Sequence, residues 1–219
     1  QSWSMTESVF SMNGDGPDLQ ALRTIADNHG AYLYLDEAHA VGVLGPQGRG
    51  RAAASGIEVE VLVGAFGKAF GAAGGFVVGS KKLGEYLYNR ARSFAFSTGI
   101  PMGYAAWLQT CLDRVKAADA ERTTLMNHAR TLSTNDTHRL GAIVTRHLSE
   151  TKDAIALQSQ LRSHGFWVSA IRPPTIPSGG RLRIVPTAAH QNADVARLNQ
   201  CLAESLSQRL SQLATTTGH

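Results

Sequence analysis

The chain has 219 residues, enough for one large domain or two small ones, and its 43% hydrophobic and 17% charged content is ordinary for a globular protein. No apolar run approaches the about 20 residues of a membrane span, and no block of like charge marks a nucleic-acid-binding arm; both partner classes are set aside. The formal charge of +4 suits an anionic partner or simply a solvated surface.

Gln1-Ser2-Trp3-Ser4 has neither the basic start nor the apolar block of a signal peptide. With no initiating Met, the chain is expected to be a fragment or a processed product. Trp3 to Glu7 predicts a strand. Asp15-Gly16-Pro17 offers a cap and a first-turn proline for a helix with apolar positions Leu19, Leu22, Ile25 and Ala26, ended by Gly30. Ala31 to Leu35 is the next strand. Two near-continuously apolar segments follow, Val59 to Ala65 and Gly75 to Gly79, in the pattern of buried parallel strands. Strands alternating with helices imply an α/β fold with a mostly parallel sheet, where ligands bind beyond the carboxyl ends of the strands.

From Pro101 to Ser133 the pattern is helical, with Ala105, Leu108, Leu112 and Val115 on one face. The polar stretch Thr134 to Arg139 is the expected boundary between a first domain, residues 1–133, and a small α+β domain, residues 134–219. The second domain should hold a strand near Ala142-Ile143-Val144, a helix from Glu150 to His164 stopped by Gly165, and a strand from Phe166 to Ile171. A Pro-Pro turn leads to a strand from Arg181 to Val185 and a closing helix from Asn192 to Leu210. Cys111 and Cys201 form no CxxC pair and are expected to be reduced core thiols of a cytoplasmic protein.

The chemistry concentrates in two segments. Leu35-Asp36-Glu37-Ala38-His39 closes a strand, and Lys68 lies 32 positions beyond Asp36 within Gly64-Ala65-Phe66-Gly67-Lys68-Ala69-Phe70-Gly71. A lysine amine can hold an aldehyde cofactor covalently, an aspartate can keep a pyridine nitrogen protonated, and an imidazole can hydrogen-bond the ring: the set that pyridoxal 5'-phosphate requires. Taken singly, each has a plainer role: Asp36 as a turn cap, His39 as a loop histidine, Lys68 as a surface lysine. Together with Gly64, Gly67, Gly71, Gly74 and Gly75, which let backbone approach a ligand closely, they favour the cofactor site.

A rival reading takes Asp36-Glu37-Ala38-His39 as the magnesium-binding strand of a DEAH-type helicase. Such an ATPase needs a GxxxxGK[ST] loop upstream to cradle phosphates. Here the one Gly-Lys pair, Gly67-Lys68, lies downstream, Ala69 replaces the required hydroxyl, and Leu62 stands where the first glycine belongs.

Four blocks come in the order of the α-oxoamine synthases: Glu7 to Asp15 (ESVFSMNGD), Asp36 to Gly42 (DEAHAVG), Phe66 to Gly71 (FGKAFG) and Arg181 to Ile184 (RLRI). The chain resembles this family of fold-type-I pyridoxal-phosphate enzymes over almost its whole length. The segment Ala170 to Pro177, followed by Thr187-Ala188-Ala189-His190, is most similar to the branch that uses L-alanine. The resemblance implies part of the large cofactor-binding domain followed by a small α+β domain, working as a homodimer. It implies that Lys68 bonds the cofactor and moves the α-proton, and that Asp36 pairs with the ring nitrogen. His39 and Ser11 would bond the ring oxygen, His39 also polarising the substrate carbonyl. Ser97 and Thr98 would reach the phosphate across the dimer, with Arg183 gripping the amino-acid carboxylate and Thr175 also binding substrate. The implied reaction is decarboxylative condensation of L-alanine with pimeloyl-CoA or a pimeloyl carrier protein. Glycine or serine with another acyl-CoA, and an inactive truncated remnant, stay open as alternatives.

The chain departs from the family pattern in several places. Ala65 stands where a phosphate-binding Thr or Ser is usual, Gly99-Ile100-Pro101-Met102 lacks a second proline, and the stretch from Ser133 to Arg139 is short. The family's upstream half, with its ring-stacking histidine and phosphate loop, is not among these residues. The chain is expected to correspond to the carboxyl-terminal part and, by itself, to bind cofactor weakly.

Overall fold

Alternating apolar residues in the second strand decide which face of the first sheet is packed. Leu33 and Leu35 are completely buried, whereas Tyr32, Tyr34 and Asp36 on the other face are half-buried. The computed structural model describes residues 2–133 and 138–216, with backbone alone at 206 and 208–216. It divides into two compact units, residues 1–11 with 15–122 and residues 12–14 with 123–219.

In the first unit β1 (Trp3–Glu7), β2 (Tyr32–Asp36), β3 (Val61–Ala65) and β4 (Gly75–Gly79) form one sheet in that order. The helices α1 (Leu19–Asn28) and α2 (Arg51–Ser55) make the two crossovers. β1, β2 and β3 run parallel, with Glu7 beside Asp36 and Asp36 beside Val63. Leu19, Leu35 and Ala52 form a core patch joined by Leu22, Ile57, Val59 and Leu62, so α1 and α2 pack on the Leu35 side of the sheet. On the other side the Trp3 and Tyr32 rings meet with centroids 5.0 Å apart.

Two expectations for this unit are corrected. Helix α1 begins at Leu19, because Asp18, not Asp15, caps it: the Asp18 side chain accepts from the Ala21 amide at 3.0 Å. Pro17 therefore precedes the cap, and Ile25 is 56% exposed. Strand β4 is antiparallel to β3, not parallel. Residues 66–74 are too few for a parallel crossover, which needs about a dozen or more, and Val77 and Val78 on β4 are 51% and 54% exposed.

Four more helices follow: α3 (Lys81–Arg90), α4 (Arg92–Ala95), α5 (Met102–Ala117) and α6 (Asp119–Leu132). The long helical segment thus breaks at Ala118. Arg122 holds the corner, donating to the Val115 carbonyl at 2.6 Å and to Asp119 at 2.6 Å. The two units divide between Arg122 and Thr123, inside α6. The stretch expected as the boundary includes residues 134–137, which lie outside the described residues.

The second unit holds β5 (Val144–Leu148), α7 (Thr151–Ser163), β6 (Ser169–Ile171), β7 (Gly180–Ile184) and α8 (Asn192–Thr216). Its sheet is antiparallel with β7 in the centre. Leu182 and Ile184 of β7 pack with Val144, Leu157, Leu161, Val195, Leu198 and Leu202, and with Ala129 and Leu132 of α6. The strand expected near residues 142–144 starts only at Val144. The strand expected from Phe166 keeps just residues 169–171, because Phe166 and Val168 turn onto the core instead. Cys111 and Cys201 are both free. Among the described residues no helix is long and apolar enough to cross a membrane.

Glu60, just before β3, fastens α1 and β2 together. It accepts from the Leu33 amide at 2.6 Å and from Arg23 Nη1 at 3.1 Å. Burial would raise its carboxyl, but the Leu33 amide and the Arg23 guanidinium outweigh burial and hold it below the usual carboxylate range. A depressed pKa in the folded state gives stability that is full above the unfolded value and is lost as pH falls through the folded one. Glu60→Gln should therefore lower the unfolding midpoint at neutral pH, and the deficit should shrink towards about pH 3. Urea unfolding of parent and variant at both pH values reads this, and an equal deficit at both would contradict it.

Candidate active site

Three parallel strands deliver three loops to one edge of the first unit's sheet, and the hydrogen-bond ladder runs one residue beyond the strands. The Ser8 amide donates to the Asp36 carbonyl, and the Glu37 amide to the Val63 carbonyl, both at 2.8 Å. The loops bearing Ser11, Asp36 with His39, and Lys68 therefore leave the sheet side by side. Neighbouring strands lie about 4.8 Å apart, so adjacent loops stand within reach of one small ligand.

Asp36 ends β2 on the half-buried face. Its Oδ1 accepts from the Ala38 amide at 2.8 Å, which folds the next residues back towards the strand. The Ala40 and Val41 amides both donate to the Glu37 carbonyl at 2.8 Å, carrying half-buried His39 on the turn. Two residues earlier on the same face, burial and then the Asp36 charge push the Tyr34 phenol above its ordinary value.

Lys68 sits three residues past the end of β3 in a loop closed by backbone pairs. Phe66 donates to Gly74 and Ala72 to Phe66, both at 2.9 Å, and Gly71 donates to Lys68 at 3.1 Å. The Phe66 ring packs edge-on against Phe70 at 5.4 Å and lies 5.2 Å from Phe76. Lys68 itself is exposed. Gly42, on the loop after His39, has φ +81, and a Cβ there would lie 2.6 Å from the Ala69 Cβ. The Asp36–His39 loop thus touches the residue that follows the lysine, a closeness only glycine permits.

Under these loops is a side chain that the sequence reading passed over. Glu37 is completely buried, and its carboxylate accepts from Ser8 Oγ at 3.2 Å, the Arg51 amide at 2.9 Å and the Ala52 amide at 2.7 Å. It thereby caps α2 and fastens the β1 loop. Gly50 (φ +92) makes room, since a Cβ there would stand 2.4 Å from Glu37 Oε2. Arg51 donates to the Ser8 carbonyl at 2.5 Å and the Pro17 carbonyl at 3.1 Å. Burial lowers the Arg51 guanidinium, against the opposing charge of Glu37. The signal for Glu37 was its parity: it continues the buried face of Leu33 and Leu35, where a carboxylate demands partners.

The remaining candidates lie elsewhere. Ser97 and Thr98 are in the exposed segment between α4 and α5, with Ser97 Oγ donating to the Ser93 carbonyl at 2.5 Å. In the second unit Thr175 is exposed, its amide donating to the Arg172 carbonyl at 3.0 Å. Arg183 is half-buried on β7, opposite Thr145 and Ser169, and burial lowers its guanidinium. Arg181, two residues before it, donates to the Met12 carbonyl at 3.3 Å and to Asn13 Oδ1. Among the described residues no cluster of His, Cys, Asp and Glu could hold a metal ion.

Residues 2–202 match the family described as aminotransferase class I and II. The chain is 41% identical over 214 residues to an 8-amino-7-oxononanoate synthase of Serratia marcescens, covering 92% of this chain and 55% of that protein. It is 42% identical over 209 residues to one of Aeromonas salmonicida, covering 90% and 52%. Among solved structures, a serine palmitoyltransferase from S. paucimobilis with a bound PLP–myriocin aldimine is similar with TM-score 0.86 and 29% identity, over 93% of this chain and 54% of that one. An 8-amino-7-oxononanoate synthase from Francisella tularensis gives TM-score 0.82 and 25% identity, over 96% and 64%. The chain spans about half the length of the curated relatives it matches.

If the Glu37 carboxylate holds this edge together, Glu37→Gln should cost about 1–3 kcal/mol of unfolding free energy, and Ser8→Ala, which removes one donor to the charged acceptor, about 1.5–3 kcal/mol. Urea denaturation measures both. A neutral Glu37→Gln would show that the α2 amides do not depend on the charge.

Proposed function

Because the chain belongs to the aminotransferase class I and II family, we propose that these residues form the lysine-bearing part of a pyridoxal-phosphate-dependent C-acyltransferase. The reaction is condensation of L-alanine with pimeloyl-CoA or a pimeloyl carrier protein, releasing CO2 and the thiol, to give 8-amino-7-oxononanoate for biotin. The product is taken from the relatives' names. One observation carries the reading: Asp36 and Lys68 leave neighbouring parallel strands at the same edge, and Gly42 locks their loops together.

The donor set fits the cofactor, with an acid for a ring nitrogen, an imidazole and a hydroxyl for a ring oxygen, and an amine for an aldehyde. Ala65 offers the phosphate no hydroxyl. When bound, pyridoxal phosphate supplies an aldehyde carbon and an electron-withdrawing ring that takes up the electron pair released at the amino acid's α-carbon. Lys68 Nζ would hold that aldehyde and would move the α-proton. Asp36 keeps the ring nitrogen protonated through a charge-assisted bond. Ser11 and His39 orient the ring, and His39 polarises the carbonyl of the incoming thioester. Arg183 would grip the amino-acid carboxylate with its planar, cationic fork, and Thr175 would also bind substrate.

The reading also makes residues 1–133 part of the large domain of a fold-type-I enzyme and residues 134–219 its small domain. Ser97 and Thr98 would serve the phosphate of a second copy in a homodimer. Exposed Phe94, Phe96, Ile100 and Met102 around them support an apolar interface. A cytoplasmic location accords with the two free cysteines. A second reading, another α-oxoamine synthase using serine or glycine with a different acyl-CoA, is favoured by the likeness to serine palmitoyltransferase.

With cofactor added to the complete gene product, the parent should show a visible absorption band that Lys68→Ala abolishes. Product masses after paired incubations of L-alanine, glycine or serine with pimeloyl-CoA or palmitoyl-CoA should single out alanine and pimeloyl-CoA. Arg183→Lys should raise the amino-acid KM roughly tenfold, as loss of a charge-assisted bond implies. A band that survives Lys68→Ala would end the assignment.

A further inference from the structure

The loop that carries Lys68 has little buried surface to hold it. Residues 67–69, 71 and 73–75 are all exposed, and glycines stand at 67, 71, 74 and 75. Such a segment is easily ordered in more than one way unless something outside it fixes its backbone. On one side Ala69 meets the backbone at Gly42. On the other, Tyr104 in the first turn of α5 reaches across 31 positions of sequence: its hydroxyl donates to the Ala73 carbonyl at 2.7 Å and accepts from the Ala73 amide. The tyrosine ring is half-buried, and its own amide donates to the Pro101 carbonyl at 2.9 Å, so the reach comes from an anchored helix start.

We propose that Tyr104 is a positioning residue for Lys68: its hydroxyl clamps both backbone groups of Ala73 and so fixes the turn from which the lysine amine approaches the cofactor. This rests on the cofactor reading given above. Ala69 follows the lysine directly, inside the turn between Lys68 and Gly71, and Ala73 lies two residues beyond that turn, so the two holds fix the backbone on the carboxyl side of Lys68. Tyr104 acts through the loop and not by touching substrate or cofactor.

Tyr104→Phe in the complete gene product, loaded with pyridoxal phosphate, removes the hydroxyl and keeps the ring. Tyr88→Phe, an exposed tyrosine on α3, is the control. Amide hydrogen exchange in residues 66–74 should quicken by about fivefold or more, because both hydrogen bonds to Ala73 are lost. The cofactor dissociation constant, read by fluorescence, should rise by a similar factor, and kcat should fall with the amino-acid KM little changed. Tyr88→Phe should match the parent in every readout. Unchanged exchange in residues 66–74 would remove the clamp. Faster exchange with unchanged cofactor affinity and kcat would show a clamp that does not position the lysine, and a lowered melting temperature without local change would show a merely structural tyrosine; either overturns the proposal. A parent without a Lys68-dependent visible band would instead overturn the functional reading, and the positioning role with it.

Discussion

A carboxylate removed from water must find protein donors, and the way Glu37 finds them organises the edge of the first sheet. Desolvating such a group costs several kcal/mol. Two backbone amides from the start of α2 and the Ser8 hydroxyl offset that cost, each bond to a charged acceptor contributing about 1.5–3 kcal/mol. The donors come from the β1 loop and the second crossover, while the acceptor continues β2. Satisfying one buried charge therefore ties together the segments that carry Ser11 and Asp36. Arg51 adds a second strap to the carbonyls of Ser8 and Pro17. The side chains expected to do chemistry are half-buried or exposed, and rigidity reaches them from the buried neighbour at residue 37.

Much of this edge was legible in the sequence because it depends on local rules. The strand from Ala31 to Leu35 was expected; its buried face was not assigned, although the alternation of Tyr32-Leu33-Tyr34-Leu35, carried on at the same parity, would have flagged Glu37 as a buried acid. The direction of β4 was misjudged from its apolar content, which specifies no direction and here not even burial, since Val77 and Val78 are exposed. The length of the connection carried the answer, since residues 66–74 cannot make a parallel crossover. The start of α1 turned on which of two nearby aspartates could bond the amide three residues on, and Pro17 sits just before the one that does. Tyr104 could not have been read at all: its partner is 31 positions away, and nothing in Pro101-Met102-Gly103-Tyr104 names it.

The second unit shows how one strand separates two duties. In β7 the pattern Arg181-Leu182-Arg183-Ile184 sends both apolar residues into the core and both arginines to the other face. Alternation of this kind was visible in the sequence, but it treats the two arginines alike. Their partners distinguish them. Arg181 is spent on the Met12 carbonyl and the Asn13 side chain, contacts that hold residues 12–14 against the sheet. Arg183 sits opposite Thr145 and Ser169, small hydroxyl residues beside a long cation. Burial lowers the Arg183 guanidinium from its ordinary value.

Lysine is a difficult residue to aim. Its four-carbon stem carries about 2 kcal/mol of rotamer entropy, and an exposed Lys68 has no packed wall to limit it. What the fold can fix is the Cα from which the stem departs, and it does so through contacts to the residues around it, not to the lysine. Gly42 presses on Ala69, Phe66 is wedged between Phe70 and Phe76, and Tyr104 holds Ala73. An amine with the role proposed for Lys68, bonding an aldehyde and then carrying a proton, would need freedom at its tip and constancy at its root. An exposed side chain on a turn held from outside by its neighbours offers both.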